Sequence, residues 1–146
     1  GQQQPVVCRK LSDKSLQLVL GFTRTGAGRL IREGFTGTDG VYRKNEDFLL
    51  DVVLKNYNDT EAFVANIVEN LERKATTPID DAIIQRRLRD DKGWDDAKIA
   101  GLYKCSPSKI VQYRRLLELN DEHRALVHTG KLGVAAAIVL LDAKPE

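Results

Sequence analysis

Apolar residues along this chain follow two rhythms, and the change from one to the other divides it near residue 74. In the first stretch, short apolar runs alternate with turn residues. Val6-Val7-Cys8 follows Pro5 and reads as a strand, Ser12-Asp13-Lys14-Ser15 is a turn cluster, and Leu16 to Leu20 is a second apolar run, so the pair reads as a β-hairpin. After Gly21, Ala27, Leu30 and Ile31 fall at helical spacing and predict a helix from about Phe22 to Glu33, closed by Gly34. Gly37, Asp39 and Gly40 mark a loop, and Phe48 to Leu54 predicts a third, buried strand. Asn58-Asp59-Thr60 predicts a helix start with Thr60 as its cap, and Ala62, Phe63, Ile67 and Leu71 line one face of that helix.

From Lys74 the strand signals stop. Thr76-Thr77-Pro78 opens a helix, with Asp80 and Asp81 beside its positive end. Helices follow in series: about Pro78 to Asp91, Asp95 to Tyr103, Pro107 to Leu117, Asp121 to Thr129 and Gly133 to Leu141. The pattern predicts an α+β N-terminal domain over residues 1–74 and an all-α domain over 75–146. The opening Gly1-Gln2-Gln3-Gln4-Pro5 reads like the middle of a longer protein, so the first domain is expected to be truncated.

Two of the predicted helices fit a helix-turn-helix. Ile99 and Leu102 face the core of the first, and Ala100 is small where the second must approach. Ser106 suits the cap of the second helix, Pro107 its first position and Ile110 its buried side, while Leu116, Leu117 and Leu119 seat its far end. Lys104 stands where the turn often has glycine.

Charge sharpens this reading. The net charge is only +2, so nucleic-acid binding has to be argued locally. Between Ala97 and Leu117 there is no acid, whereas Lys98, Lys104, Lys109, Arg114 and Arg115 are basic, which suits a line of phosphates. Ser108, Lys109 and Gln112 are the candidates for base edges. Lys98, Lys104, Ser106, Arg114 and Arg115 complete the DNA-binding set, chiefly as contacts that position without specifying. The bland alternative is a helical hairpin with a solvated basic face. Trp94, Tyr103 and Tyr113 read as packing residues, and His123 and His128 as surface or boundary residues.

Other chemistry finds less support. Cys8 and Cys105 are far apart and share no metal-ligand spacing, which fits a reducing cytosol better than a disulfide framework. No stretch reaches the ~18 apolar residues that a membrane helix needs. A nuclease would draw on Glu61, Glu72 and Asp47 beside Glu69.

Glu69-Asn70-Leu71-Glu72-Arg73 followed by Thr77-Pro78-Ile79-Asp80-Asp81-Ala82 resembles the ENxQR…NPxEEA stretch of ParB proteins. Ile99-Ala100, Ser106, Ile110, Arg115-Leu116-Leu117-Glu118-Leu119 and Gly130-Lys131-Leu132 resemble that family's helix-turn-helix and the helices after it. Gln4-Pro5-Val6-Val7 and Leu18 to Arg24 sit where the family has its second strand pair and its GERRxRA box, which here reads Gly21-Phe22-Thr23-Arg24-Thr25-Gly26-Ala27.

The resemblance implies binding of a centromere-like or operator site on double-stranded DNA, in plasmid, phage or chromosome partition, by a cytoplasmic, nucleoid-associated protein. It implies CTP and Mg²⁺ in the N-terminal domain, slow CTP hydrolysis, closure into a DNA clamp, a ParA-type ATPase partner and a homodimer in the full-length protein. Carried over by position, Gly21, Arg24, Glu69, Asn70 and Arg73 would meet the nucleotide, with Glu69 and Asn70 offering oxygens to the metal. Arg29 and Arg32 could replace the missing arginines of the box if they point the right way. On the residues alone, Glu69, Asn70 and Arg73 equally suit a helix end, and Arg24 a surface ion pair. The alternatives are a KorB-like transcriptional regulator without a nucleotide switch, and a ParB-like nuclease or a sulfiredoxin-like enzyme using Cys8.

Overall fold

The computed structural model describes residues 4–74 and 76–143. The opening Gly1–Gln3, read above as continuing from upstream chain, and Ala75, at the expected domain boundary, lie outside the described residues. The chain separates into two compact units, Gly1–Glu69 and Asn70–Glu146.

In the first unit, β1 (Val6–Lys10) and β2 (Leu16–Leu20) form the expected antiparallel hairpin, with Cys8 opposite Leu18 and Lys10 opposite Leu16. Alternation puts Val6 and Cys8 of β1 in the core, where Val19 of β2 and Ile67 meet the same enclosure. Arg9 points the other way and is 8% exposed, yet its charge is not stranded. Its guanidinium donates to Gln17 Oε1 at 2.6 Å, Tyr57 O at 3.2 Å and Asp59 Oδ1 at 2.5 Å.

Helix α1 (Phe22–Glu33) has the predicted bounds, and Gly34 closes it by donating its N–H to Leu30 O. Its packing face differs from the expected stripe. Leu30 is 54% exposed, Ala27 is exposed and Ile31 half-buried, while Gly28 is buried. A Cβ on Gly28 would come within 3.0 Å of Leu50 and 3.2 Å of Phe48, so the missing side chain admits those two residues to the helix surface. A contact made by glycine leaves no apolar position for periodicity to detect.

That contact also shortens the third strand. Phe48 and Leu50 turn toward α1, so only Val52–Leu54 pairs, as β5, parallel to β1 with Val6 opposite Val52. The sheet order is β2-β1-β5, and β5 lies at an edge with all three residues exposed rather than buried as its composition predicted. Between α1 and β5 the expected loop is a small hairpin, β3 (Phe35–Thr36) and β4 (Tyr42–Arg43), turned by Gly37 to Gly40. Strands this short cannot display an alternation. Helix α2 (Asp59–Glu72) is capped by Asn58 rather than Thr60. Asn58 Oδ1 accepts from Glu61 N at 2.9 Å and Glu61 Oε2 accepts from Asn58 N at 2.8 Å, a reciprocal box that Thr60 cannot make.

The second unit is helical: α3 (Pro78–Asp90), α4 (Asp96–Tyr103), α5 (Pro107–Arg115), a 3₁₀ turn (Leu116–Glu118), α6 (Asp121–His128) and α7 (Val134–Asp142). Short helices are marginal in water, and the N-termini of α3 to α6 are closed by side chains, whereas α7 starts at Gly133 without one. Thr77 and Asp80 form a capping box on α3, Asp95 caps α4, Ser106 caps α5 and Asn120 caps α6. One apolar cluster joins Ile79 of α3, Leu116, Leu119, Val127 of α6, and Ala137 and Leu141 of α7. Leu88 of α3, Ile99 of α4 and Ile110 of α5 are at most 1% exposed. Each such side chain contributes roughly 1.5–3 kcal/mol by leaving water.

Candidate nucleic-acid interface

The helix-turn-helix is built as the spacing predicted, and Lys104 itself adopts the turn conformation that glycine usually supplies. Lys104 takes φ 52 and ψ 45, the left-handed conformation that ends α4. Cys105 N then donates to Ala100 O at 3.0 Å, which satisfies a terminal carbonyl and reverses the chain. Asp95 accepts from Lys98 N at 2.7 Å at the front of α4, and Ser106 accepts from Lys109 N at 3.4 Å at the front of α5. Ile99, Ala100 and Ile110 close the angle between the two helices from inside. Leu102 is only half-buried.

With Ile110 turned inward, α5 presents Ser108, Lys109, Val111 and Gln112 to solvent, and Ser106 at its cap is exposed as well. Ser106, Ser108, Lys109 and Gln112 also form one wall of a groove of about 650 Å³, with Val134, Ala135 and Ile138 of α7 opposite. Lys98 is exposed, with Nζ 4.2 Å from the centre of the Trp94 ring, and Lys109 Nζ lies 5.5 Å from that of Tyr113. Trp94 and Tyr113 are half-buried, so each packs by one part and carries a cation on another.

The two arginines are differently placed. Arg114 forms a fork with Asp96 of α4, Nη2 to Oδ2 at 3.0 Å with Nη1 against Oδ1, and its side chain is 17% exposed. Hydrogen bonding from Arg114 holds the Asp96 carboxyl below the usual aspartate range against the opposing effect of desolvation, and Arg89 reaches the same carboxylate at 3.4 Å. Arg115 pairs with Asp142 of α7 at 2.5 Å. The sequence window held no acid, but the fold brings Asp96 and Asp142 to it from outside. Asp96 reads in the sequence only as a favourable charge at a helix start, and nothing signals its second role.

In the helical unit, the buried polar atoms without partners in the structure include Asp81 Oδ1, Gln85 Oε1 and the Tyr103 hydroxyl. Burial pushes the Asp81 carboxyl up, and burial followed by the nearby Asp81 charge pushes Tyr103 up. Tyr103 is thus a packing residue, as expected. His123 is half-buried, and the exposed His128 lies with Nδ1 3.0 Å from Thr77 Oγ1.

In the first unit, Gly21 precedes α1 at φ 96, and a Cβ there would meet Val6 Cγ1 at 2.8 Å. The first turn of α1 carries no acid, which leaves its positive end open to an anion. Arg24 donates to Gln4 O at 2.5 Å and Pro5 O at 2.9 Å, and its other nitrogen lies 3.6 Å from Glu69. Asn70 and Arg73 belong to the second unit by its bounds, with Asn70 half-buried and Arg73 exposed. Arg29 and Arg32 line a cavity of about 750 Å³ with Thr25, Lys44, Phe48 and Leu50; Gly21, Arg24 and Glu69 are not among its lining residues. Among the described residues no three of His, Cys, Asp and Glu converge on a point that could hold a metal. Burial pushes the Cys8 thiol up, the reverse of what a nucleophile needs.

A family model described as the ParB HTH domain matches residues 74–146. Nucleoid occlusion proteins of Bacillus thuringiensis (strain Al Hakam) and Bacillus cereus (strain B4264) are each 25% identical over 146 residues, covering 100% of this chain and 46% of theirs. The chain spans about half the length of the curated relatives it matches. The crystal structure of the C-terminally truncated chromosome-partitioning protein ParB from Caulobacter crescentus, complexed to the centromeric parS site, is similar in fold. It matches with a TM-score of 0.67 and 22% identity, over 97% of this chain and 69% of that one. The likeness covers both parts of the expected architecture, the α+β part and the helix-turn-helix part. No helix among the described residues is long and apolar enough to cross a membrane.

Proposed function

The chain belongs to the ParB family by its helix-turn-helix domain, and from that premise we propose that it binds double-stranded DNA sequence-specifically with α5 in the major groove. The observation that carries this reading is the exposed face of α5. Ser108, Lys109 and Gln112 stand free of the core on a helix whose other side is fixed by Ile110, so the polar groups are held rigidly toward a ligand. Lysine suits the acceptors of guanine and glutamine the paired donor and acceptor of adenine. Lys98 and Lys104 flank that face as phosphate contacts. Arg114 acts chiefly inside the fold, through Asp96, and Arg115 reaches a phosphate only by leaving or sharing Asp142.

The test is binding to a duplex selected from a random-sequence pool, followed by fluorescence anisotropy. Lys109→Ala and Gln112→Ala are expected to weaken the selected duplex by about 5- to 150-fold and to leave unrelated DNA nearly unchanged. Lys98→Ala is expected to weaken both together and to reduce the salt slope by about one. If all three variants bind the selected duplex like the parent, α5 is not the reading helix.

In this reading the cellular role is partition or nucleoid occlusion by a nucleoid-associated protein, with a ParA-type ATPase and a second copy of the chain as partners. Protection spreading beyond the selected site would favour that role over a plain KorB-like regulator, which protects its operator alone.

A second reading, CTP binding by the N-terminal unit, is favoured by Gly21 and the acid-free first turn of α1, which leave backbone N–H groups at a positive helix end. Gly21 and Arg24 would meet phosphate, and Glu69 would offer an oxygen to Mg²⁺, which would neutralise phosphate charge. Because Arg24 is already engaged by two carbonyls and Glu69, the phosphate would have to displace those contacts. Calorimetric CTP binding that is absent with ATP and lost in Arg24→Ala is the result expected.

A further inference from the structure

Ser108, Val111, Gln112 and Arg115 lie at i, i+3, i+4 and i+7 of α5 and form one stripe along its outer side. Three of these residues are polar or charged. Val111 is apolar and 42% exposed, the sole large hydrophobic side chain on α5 left open to solvent. The core does not use it, and the groove against α7 is lined by its neighbours Ser108, Lys109 and Gln112 rather than by Val111 itself. Valine is also a poorer helix former than alanine or glutamine, so local propensity does not account for its choice here. What valine does supply in a helix is a rigid side chain, with one strongly preferred χ1 rotamer that holds its two methyl groups at fixed positions. Beside polar groups that face base edges, a fixed apolar knob complements one feature of the major groove, the C5 methyl of thymine.

We propose that Val111 is a specificity-determining residue that selects an A·T pair through contact with the thymine methyl group. The inference deepens the DNA-reading role proposed above for α5 and rests on it. Ser108 and Gln112 flank Val111 along the stripe, so the thymine lies next to, or one step from, the base pair read by Gln112. Lysine and glutamine discriminate by hydrogen bonds; Val111 adds an apolar criterion that a hydrogen-bond donor or acceptor cannot supply.

The experiment uses the full chain and the duplex selected from the random pool, with each thymine replaced singly by deoxyuridine, which removes the C5 methyl and leaves the pairing edge intact. The parent is expected to lose about fourfold in affinity at one position and nothing at the others. Val111→Ala is expected to bind the thymine and uracil versions of that position equally, at the level of the parent on the uracil duplex. Val111→Thr, which keeps one methyl group, is expected to retain part of the difference. Because the side chain is exposed, the variants fold, and their unfolding midpoints verify it. The proposal is overturned if no single replacement weakens the parent, if Val111→Ala keeps the parent's thymine-to-uracil ratio, or if the selected duplex holds no thymine beside the Gln112 position. Failure of every variant and of the parent to prefer the selected duplex over random DNA overturns the DNA-reading role itself, and this inference with it.

Discussion

Leu116 and Val53 are both apolar residues in regular elements, yet Leu116 is fully enclosed and Val53 is 36% exposed. The difference extends to the units that contain them. In the helical unit, short helices begin on a side chain that meets their free N–H groups, and their inner faces share a contiguous core. In the N-terminal unit, β5 lies uncovered at a sheet edge, and Leu30, Leu49 and Leu54 are more than half exposed. A unit whose helices are closed locally needs less from its surroundings than one whose strands leave apolar groups in water.

The sharpest test of that contrast is core truncation. Leu116→Ala is expected to cost about 2–5 kcal/mol by chemical denaturation, whereas Val53→Ala should cost less than about 1 kcal/mol. Equal costs would mean that β5 is covered in solution and that the units are alike.

Ion pairs separate the units less strongly. The Arg114–Asp96 fork is largely shielded and bidentate, and Arg114→Ala is expected to cost about 1.5–3 kcal/mol. Arg24 and Glu69 are 3.6 Å apart without a fork, and Glu69→Gln should cost under about 1 kcal/mol. The sign of the pH dependence follows from Asp96. Its folded carboxyl sits below the ordinary aspartate value, so the stabilisation is present above about 3.8 and is lost as pH falls through the folded value. Acid denaturation of the parent and of Asp96→Asn should therefore diverge at higher pH and converge in acid. Parallel curves would show that the fork adds nothing.

The smallest effect concerns the turn. Lys104→Gly relieves a left-handed non-glycine residue but adds chain entropy to the unfolded state, for a net gain below about 1 kcal/mol. Affinity for all DNA should fall at the same time, because a cation is lost. A stability gain with undiminished affinity would remove Lys104 from the interface.

The helical unit was legible because its signals are local. Thr77-Pro78, Asp95 and Ser106-Pro107 mark helix starts within a few residues, and Ile99, Ala100 and Ile110 carry the helix-turn-helix spacing. The first unit was legible only where local signals exist, in the β1–β2 hairpin and α1. The cover of Gly28 by Phe48 and Leu50, the shortening of β5 and the buried Arg9 depend on residues that meet only after folding. The ion pairs of the interface were not legible for the same reason. Arg114 and Arg115 read in the sequence as phosphate contacts, and their pairing with Asp96 and Asp142 appears only once the helices pack.

The apolar cluster of the helical unit takes Ile79 from its first long helix and Ala137 and Leu141 from its last, with Leu116 between them at the foot of α5. Such a closure works like the keystone of an arch. Helix α5 is held from both ends of the unit at once, so shortening the chain before α7 would not trim away a spare appendage but strip the wall from Leu116. Loss of DNA binding in a deletion series should then come as a single step rather than a gradual decline, with the step falling inside α7.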